Sequence, residues 1–222
     1  MSILVKSLVF RYEGERFELA IDDLSVEAQQ PTAIIGPSGS GKSTLLRLIA
    51  GVLRPVDGSV NVLGETVSEM TDTQARAFRI QNIGLVFQEF ELVDYLNARD
   101  NILLPYRISG ELTLDNPARQ RVDQLAEATG ITNLLDSRPT KLSQGERQRV
   151  AICRALVTHP RLVLADEPTG SLDPDNQTRI VELLRDTAVQ AGAGLVMVTH
   201  DHDLLGYFDR VIDLPSIKKA HA

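Results

Sequence analysis

A glycine-rich segment between an apolar run and a helical run restricts the possible folds of this chain more than any other part of its sequence. The apolar residues 32–35 are followed by Gly36-Pro37-Ser38-Gly39-Ser40-Gly41-Lys42-Ser43, which fits the pattern G-x-x-x-x-G-K-[ST]. Glycines let backbone N–H groups approach phosphate oxygens, and the positive end of a helix dipole favours an anion. We predict a strand at 32–35, a phosphate-binding loop, and a helix from Lys42 to Ala50 that ends before Gly51. The alternative, a plain glycine-rich turn, does not require this strand–loop–helix context.

Each residue type in this loop has a predicted contact with the phosphate chain of a nucleotide. The Lys42 ammonium would reach the β- and γ-phosphates, and the Ser43 hydroxyl would be a ligand for Mg²⁺. The glycines would present backbone N–H groups to the same oxygens. The predicted nucleotide contacts in and beside the loop are Gly36, Pro37, Ser38, Gly39, Ser40, Gly41, Lys42, Ser43 and Thr44.

Apolar runs alternate with helical stretches along the rest of the chain, which predicts an α/β fold with a mainly parallel sheet. Residues 3–10 and 17–26 have the pattern of a hairpin-like pair of strands. The further predicted strands are 58–63, 83–87, 162–165, 195–198 and 210–214. The pattern between 88 and 159 is helical throughout, with helices predicted at 98–107, 117–129 and 144–158. We therefore predict one domain, residues 1–222, whose core comprises about 1–87 and 160–222, with a helical subdomain inserted at about 88–159.

Composition and charge argue against several classes of protein. The 222 residues carry a formal net charge of −7, which argues against a free-standing nucleic-acid binder. No apolar run approaches the roughly 18 residues that a membrane-spanning helix needs, and no basic leader precedes a long apolar stretch. The single cysteine, Cys153, cannot form an internal disulfide, which fits a reducing compartment. We therefore expect a chain that is neither secreted nor inserted and that reaches a membrane through a partner.

Two adjacent carboxylates follow the predicted strand at 162–165. Asp166 and Glu167 would lie at the C-terminal edge of the sheet, where open α/β proteins bind ligands. Because strand side chains alternate, we expect Asp166 to hold Mg²⁺ through water while Glu167 faces an attacking water as the general base. Pro168 should bias Glu167 toward an extended conformation that keeps this geometry. The alternative is a solvated strand exit, which the phosphate loop elsewhere in the chain disfavours.

A third motif carries a resemblance to one family. The run Leu142-Ser143-Gln144-Gly145-Glu146, followed by a basic helix start at 147–151, resembles the signature motif of ATP-binding cassette (ABC) proteins. Gln144 and Glu146 stand where that motif usually has glycine and glutamine. Ser143 is a natural N-cap and Gly145 leaves its N–H unobstructed, so the segment would be a second anion-binding helix terminus. The alternative is that the segment only caps a helix.

The other motifs of the ABC family follow in order, so the resemblance extends over essentially the whole chain. Gln88 matches the glutamine that senses Mg²⁺ and the attacking water, and His200 matches the histidine that contacts the γ-phosphate. Tyr12 matches the aromatic residue that stacks on adenine, with ordinary packing as the alternative. The D-loop of the family matches Ser171, Leu172 and Asp173.

The resemblance implies a fold, an activity and partners. The fold would be a P-loop NTPase (RecA-like) core with an antiparallel β subdomain and an inserted ABC α-helical subdomain. The activity would be ATP hydrolysis, with the catalytic residues Glu167, His200 and Gln88. The Mg²⁺ ligands would be Ser43, Gln88 and Asp166. The chain would form an ATP-induced homodimer, in which each signature closes over the ATP of the other subunit, and would drive a separate integral membrane permease.

Three segments resemble one group within the family. Residues 83–92, 96–105 and 165–170 are similar to the ATPases of lipoprotein-release, macrolide-export and cell-division systems, although Asn97 stands where threonine is usual. In that group, dimer closure moves an extracytoplasmic part of the permease, and an extracytoplasmic adaptor can be a further partner. The ATPase would lie on the cytoplasmic face of the cell (inner) membrane. A regulatory ABC ATPase without transport stays an open alternative, whereas a soluble ABC ATPase would usually carry two cassettes in one chain.

The segment 89–96 offers apolar and aromatic side chains after Gln88. The resemblance implies that it belongs to a groove for a helix of the permease. The alternative is that these side chains cover the core of the helical subdomain, and both can hold for different residues.

Overall fold

A computed structural model describes residues 3–14, 17–27, 30–170 and 172–217, which form two β-sheets surrounded by helices. The strands are β1 (Ile3–Arg11), β2 (Glu18–Val26), β3 (Thr32–Ile35), β4 (Asp57–Val62), β5 (Glu65–Thr66), β6 (Ile83–Phe87), β7 (Leu162–Asp166), β8 (Gly194–Val198) and β9 (Arg210–Asp213). The helices are α1 (Lys42–Ile49), α2 (Asp72–Asn82), α3 (Ala98–Ile102), α4 (Leu104–Ile108), α5 (Asn116–Ala128), α6 (Gln144–Leu156), α7 (Pro174–Gln190) and α8 (Leu214–Ile217). Among the described residues, no helix has the length and apolar character needed to cross a membrane.

One sheet is parallel throughout and has the strand order β6-β7-β8-β3-β9. β3 lies between β8 and β9, so the glycine-rich loop leaves the sheet from an interior strand. The register pairs Phe87 with Asp166, and Asp166 with Val198. The residues that follow these strands therefore emerge at the same edge of the sheet as the glycine-rich loop, which is the edge where α/β sheets bind ligands.

The other sheet is antiparallel, with the strand order β2-β1-β4-β5, and the predicted hairpin-like pair is confirmed as β1 and β2. Val5 and Leu8 of this sheet belong to one buried cluster with Leu45 and Leu48 of α1 and with Ile34 of β3. Helix α1 is therefore held by apolar contacts from both sheets. This fixes the position of the glycine-rich loop, which leads directly into α1.

β7 contributes side chains to two hydrophobic clusters. Leu162 and Leu164 belong to the cluster around α1, whereas Val163 and Ala165 belong to a second cluster. The helical residues of the second cluster include Ile102, Val122, Leu125, Val150, Ile152, Ile180 and Val181. The alternation of strand side chains explains this division, and burial on both faces explains the continuous apolar run in the sequence. The strand that carries Asp166 at its end, and that leads into Glu167, is therefore packed into both clusters.

The predicted strands of the parallel sheet are confirmed to within one residue, but the prediction for 88–159 was wrong in two respects. The segment is not helical throughout, because 88–97 and 109–115 contain turns and irregular structure. The helix predicted at 98–107 is two short helices, with a break at Leu103. Pro105 explains the break, since it has no backbone N–H and its ring would clash with the carbonyl four residues earlier.

Helices α2, α7 and α8 were not predicted, although the first two carry sequence signals at their starts. Helix α2 begins with a capping box, in which the Thr71 hydroxyl accepts from the Gln74 N–H and the Gln74 side chain accepts from the Thr71 N–H. Helix α7 has Asp173 as its N-cap and Pro174 at its first position. Helix α2 packs next to β6, the strand that leads into Gln88.

Candidate nucleotide-binding and catalytic site

The glycine-rich loop joins β3 to α1, and Gly41 occupies the N-cap of α1 in a left-handed conformation with φ 100°. A Cβ at Gly41 would lie 3.0 Å from the Phe17 ring and 3.1 Å from a Leu19 methyl group. Both the backbone angle and the close approach of β2 therefore require glycine here. The consequence is a helix N-terminus whose first N–H groups are not covered by a side chain, as an anion site needs.

Lys42 points back into the loop that precedes it. Its ammonium donates to the carbonyl oxygens of Gly36 and Pro37, at 2.9 Å and 3.2 Å, and its side chain is buried. The Ser40 hydroxyl is also buried and has no hydrogen-bond partner within the protein. A buried ammonium and an unpartnered hydroxyl in one loop fit a polar, anionic ligand, because each would gain a partner when phosphate oxygens enter.

Ser43 and Asp166 are brought into contact across 123 positions of sequence, with the Ser43 hydroxyl donating to Asp166 Oδ1 at 2.8 Å. Adjacent ligands of an octahedral Mg²⁺ with bonds of about 2.0–2.1 Å lie roughly 2.9 Å apart. The two hard oxygens therefore have a suitable type and spacing for neighbouring Mg²⁺ ligands. Burial raises the pKa of Asp166, and Glu167 raises it further, whereas the Ser43 hydrogen bond and the cations Arg47 and Lys42 act in the opposite direction.

Glu167 is not extended, and the prediction from Pro168 was wrong. Its φ is 45°, in the left-handed region. The Glu167 N–H donates to the Val198 carbonyl, and the Glu167 carbonyl accepts from the Gly170 N–H at 3.1 Å, which closes a turn with Pro168 at its second position. The chain reverses directly after β7, so the turn overrides the local preference of a residue before proline.

The Glu167 carboxylate lies between two basic groups. One oxygen is 3.0 Å from His200 Nδ1, and the other is 3.5 Å from the Lys42 ammonium. The Glu167 side chain is about one-fifth exposed, whereas that of His200 is mostly exposed. A partly exposed carboxylate oriented by an imidazole, next to a phosphate-binding ammonium, has the arrangement expected of a general base for an attacking water.

Gln88 and Tyr12 lie at the margins of this cluster. The exposed Gln88 side chain lies against Gly170, where an added Cβ would be 2.8 Å from Gln88 Nε2. The Tyr12 hydroxyl lies 3.2 Å from Thr44 Oγ1, and the Tyr12 ring meets Phe10 edge-on at 4.8 Å and lies 5.8 Å from Phe17. Tyr12 thus packs among aromatic neighbours beside the first turn of α1, and its proposed contact with adenine stays a prediction.

A cavity of about 400 Å³ lies at the start of α6, away from the Lys42–Glu167 contact. Its lining residues are Gly130, Ser143, Gln144, Gly145, Glu146, Arg149, Leu172, Asp173 and Asn176. The signature segment and two of the D-loop residues therefore share one surface, while Leu142 is buried beside it and Ser171 lies outside the described residues. The fold brings Lys42, Ser43, Asp166, Glu167 and His200 together by direct contacts, and it places the signature on this separate surface.

A groove of about 620 Å³ lies between α2, β6, α4 and α6. Arg154 of α6 forms part of its lining, and its guanidinium donates to the carbonyl oxygens of Glu91 and of Phe90, the latter at 2.6 Å. Phe90 and Glu91 are in the left-handed region, with φ 60° and 50°. Sequence reasoning did not identify Arg154, because only the fold shows that α6 holds the loop after Gln88.

The fold and the site define the class of protein first. A parallel sheet, a glycine-rich loop leading into a helix, and a Ser–Asp pair beside a lysine define a P-loop NTPase, which binds a nucleoside triphosphate. The resemblance to known proteins then narrows this class to one family.

Residues 19–170 match the family model described as ABC transporter. The Psychrobacter arcticus lipoprotein-releasing system ATP-binding protein LolD is 42% identical over 188 residues, which cover 85% of this chain and 83% of that protein. The Rhodopirellula baltica macrolide export ATP-binding/permease protein MacB is 41% identical over 189 residues, but the match spans only 28% of its length. The dimeric ATP-binding cassette MJ0796, solved in a post-hydrolysis state with ADP and Pi, has a TM-score of 0.83, 30% identity and coverage of 95% and 93% of the two chains.

This chain belongs to the ABC transporter family, as an ATP-binding subunit with ATPase activity. Subunits of this kind form dimers and pair with membrane permeases. The expected α/β fold, with a P-loop NTPase core, is confirmed.

Proposed function

We propose that ATP binds with Mg²⁺ at the edge formed by the glycine-rich loop and the ends of β7 and β8, and that Glu167 is the general base for its hydrolysis. The observation that carries this proposal is the contact of Glu167 with both Lys42, at 3.5 Å, and His200, at 3.0 Å. The Ser43–Asp166 pair lies next to them with a spacing that suits neighbouring Mg²⁺ ligands. We also propose the division of the chain into a core and a helical subdomain at about 88–159.

In the proposed reaction, Lys42 leaves the Gly36 and Pro37 carbonyls and binds β- and γ-phosphate oxygens. Ser43, Asp166 and Gln88 would hold Mg²⁺, which neutralises phosphate charge when bound. Glu167 accepts a proton from water as the water oxygen attacks the γ-phosphorus. The bond from phosphorus to the bridging oxygen then breaks, which gives ADP and phosphate. His200 orients the Glu167 carboxylate through its Nδ1 and is the proposed contact for the γ-phosphate.

We propose that two copies of this chain form two composite ATP sites. Residues 143–146 of the signature and the D-loop residues Leu172 and Asp173 line one cavity that is separate from the Lys42–Glu167 cluster. A two-fold dimer would bring that cavity over the phosphate loop of the partner, and the same contact would occur twice. The related cassette MJ0796 is a dimer with bound ADP and Pi, which supports this arrangement.

The groove between α2, β6, α4 and α6 is the proposed docking site for a helix of the permease. Glu91 and Arg154 line it, so it is continuous with the loop that follows Gln88. The side chain of Ile108 at one wall is 70% exposed, which is unusual for a large apolar residue. A permease helix with an apolar face would cover Ile108, and its polar groups would meet the arginines of the groove.

We propose that the permease is of the export or mechanotransmission type, in which dimer closure moves an extracytoplasmic domain. The relatives named for lipoprotein release and macrolide export support this class. The chain would then lie on the cytoplasmic face of the inner membrane, and an extracytoplasmic adaptor would be a further partner. A regulatory ATPase that controls a membrane complex without transport is the alternative.

The variant Glu167→Gln tests the catalytic proposal. It should lose about 10²–10⁴-fold in ATP turnover while it still binds ATP, because only the proton acceptor is removed. Glu69→Gln changes an exposed carboxylate on a turn of the antiparallel sheet region and serves as the matched control. Near-normal hydrolysis by Glu167→Gln would remove Glu167 as the base.

The same variant, tagged and trapped with ATP and Mg²⁺ in detergent-solubilised membranes, tests the partner. Recovery of a permease with few spans and a large extracytoplasmic domain supports the mechanotransmission class. Recovery of a soluble protein, or of no protein, would contradict the proposed coupling and leave the ATPase assignment in place.

A further inference from the structure

The first turn of α6 is capped by its own carboxylate. Glu146 Oε2 accepts from the Ser143 N–H at 2.8 Å and from the Ser143 hydroxyl at 2.9 Å. The Ser143 hydroxyl in turn accepts from the Glu146 N–H at 3.3 Å. These bonds form a capping box, and they lower the pKa of Glu146. Glu146 is therefore an anion at neutral pH, and it already occupies two of the donors at this helix terminus.

This arrangement matters because the same terminus is the proposed contact for the ATP of a partner subunit. A triphosphate that approaches it meets a carboxylate of the same sign, and it finds the Ser143 proton already donated to Glu146. Of the other charged side chains that line the cavity, Arg149 is committed to the Thr129 carbonyl at 3.0 Å, and Asp173 adds negative charge. With Glu146 and Asp173 negative and Arg149 positive, the charged side chains that line the cavity carry one net negative charge, which opposes a second anion.

We infer that Glu146 is a positioning residue that sets the threshold for ATP-driven closure of the dimer. In the monomer, its carboxylate accepts from both Ser143 donors, and the ATP held by a partner subunit must displace this carboxylate and overcome its charge. The inference rests on the proposed composite ATP site, and it assigns to one residue the resistance to closure. A cassette with this residue closes only at higher ATP occupancy than one with a neutral side chain there.

The substitution Glu146→Gln separates charge from structure. Glutamine is the other residue that completes a capping box, so its amide oxygen can still accept from the Ser143 N–H. Helix α6 should therefore keep its cap, and the chain should keep its thermal midpoint, while the negative charge is lost. The charge-matched control is Glu69→Gln, which removes an exposed carboxylate outside the signature segment.

The experiment measures dimer dissociation constants by sedimentation equilibrium with ATP and Mg²⁺, in the hydrolysis-deficient Glu167→Gln background. Glu146→Gln should tighten the dimer about tenfold at low salt, because each dimer contains two sites and each removed like-charge contact is worth about threefold. The gain should shrink at 0.5 M salt, where the Debye length is only about 4 Å. Glu69→Gln should change the constant by less than twofold at either salt concentration.

Three outcomes would contradict a role of Glu146 in dimer closure. In the first, the Glu167→Gln chain forms a dimer with ATP, and adding Glu146→Gln leaves the dissociation constant unchanged or raises it without changing the thermal midpoint. This result would overturn the role of Glu146 but would be consistent with the composite site. A gain that does not depend on salt would assign the effect to packing and also overturn the inference. A chain that stays monomeric with ATP in every variant would overturn the composite site and this inference with it.

Discussion

Gly84 in the middle of β6 lies directly under helix α6. A Cβ built on Gly84 would be 2.3 Å from the Ala155 carbonyl oxygen, 3.0 Å from the Ala155 carbonyl carbon and 3.2 Å from Pro160 Cγ. Its backbone is not in the left-handed region, so the only objection to a larger residue is space. Because two of the three neighbours are backbone atoms, a rotamer change cannot relieve the overlap, and α6 must move away from the sheet by about 1 Å.

The substitution Gly84→Ala should therefore destabilise the chain. Overpacking a well-packed interior costs about 1–3 kcal/mol, and a backbone overlap belongs at the upper end of that range. Replacing glycine also reduces the conformational freedom of the unfolded chain, which stabilises the fold by about 0.4–1 kcal/mol. The free energy of unfolding should therefore fall by roughly 2 kcal/mol in total. For a chain of 150–250 residues this corresponds to a decrease of about 4–8 °C in the thermal midpoint.

Thermal melts followed by circular dichroism, without nucleotide, measure this effect. Gly206→Ala is the matched control, because a Cβ at Gly206 has no neighbour within 4 Å and the backbone there is not left-handed. Its midpoint should stay within about 2 °C of the parent chain. Equal midpoints for Gly84→Ala and the parent chain would show that α6 does not approach the backbone of β6 as closely as described.

Two further experiments test local contacts. Asn97 caps α3 by accepting from the Asp100 N–H at 2.8 Å. Asn97→Ala should therefore lower the free energy of unfolding in urea by about 1 kcal/mol, whereas Asn97→Thr should leave it nearly unchanged. An equal loss for both variants would show that the side chain does not act as a cap. Cys153 is fully buried and burial raises its pKa to about 12, so a thiol reagent at pH 8 should label the native chain far more slowly than the urea-unfolded chain. Rapid labelling of the native chain would contradict the packing of α6.

The sequence predicted the strands of the parallel sheet because they are buried on both faces and bounded by turn residues. It failed in two places, one for a local reason and one for a tertiary reason. Pro105 ended a helix inside an apparently periodic stretch. Glu167 adopted a left-handed conformation because the turn that follows β7 reverses the chain there, against the tendency of a residue before proline.

The residues of the site could be selected from motifs, but their contacts could not. Ser43 and Asp166 meet because β3 and β7 lie two strands apart in a sheet whose order differs from chain order. The contact of Lys42 with Glu167 likewise depends on the turn after β7, which no local pattern indicated. Arg154 was missed altogether, because an arginine in a basic helix gives no sign that its guanidinium is bound to the backbone of another segment.

The bonds from Arg154 to the Phe90 and Glu91 carbonyls have a consequence for the exchange of segments between related cassettes. They join positions 63 and 64 residues apart, and both carbonyls belong to residues in a left-handed conformation that most side chains avoid. The loop after β6 and helix α6 therefore constitute one exchangeable module, although the chain separates them. A chimera of two cassettes that takes the loop from one parent and α6 from the other must keep this arginine, or it will lose the shape of the loop together with the groove beside it.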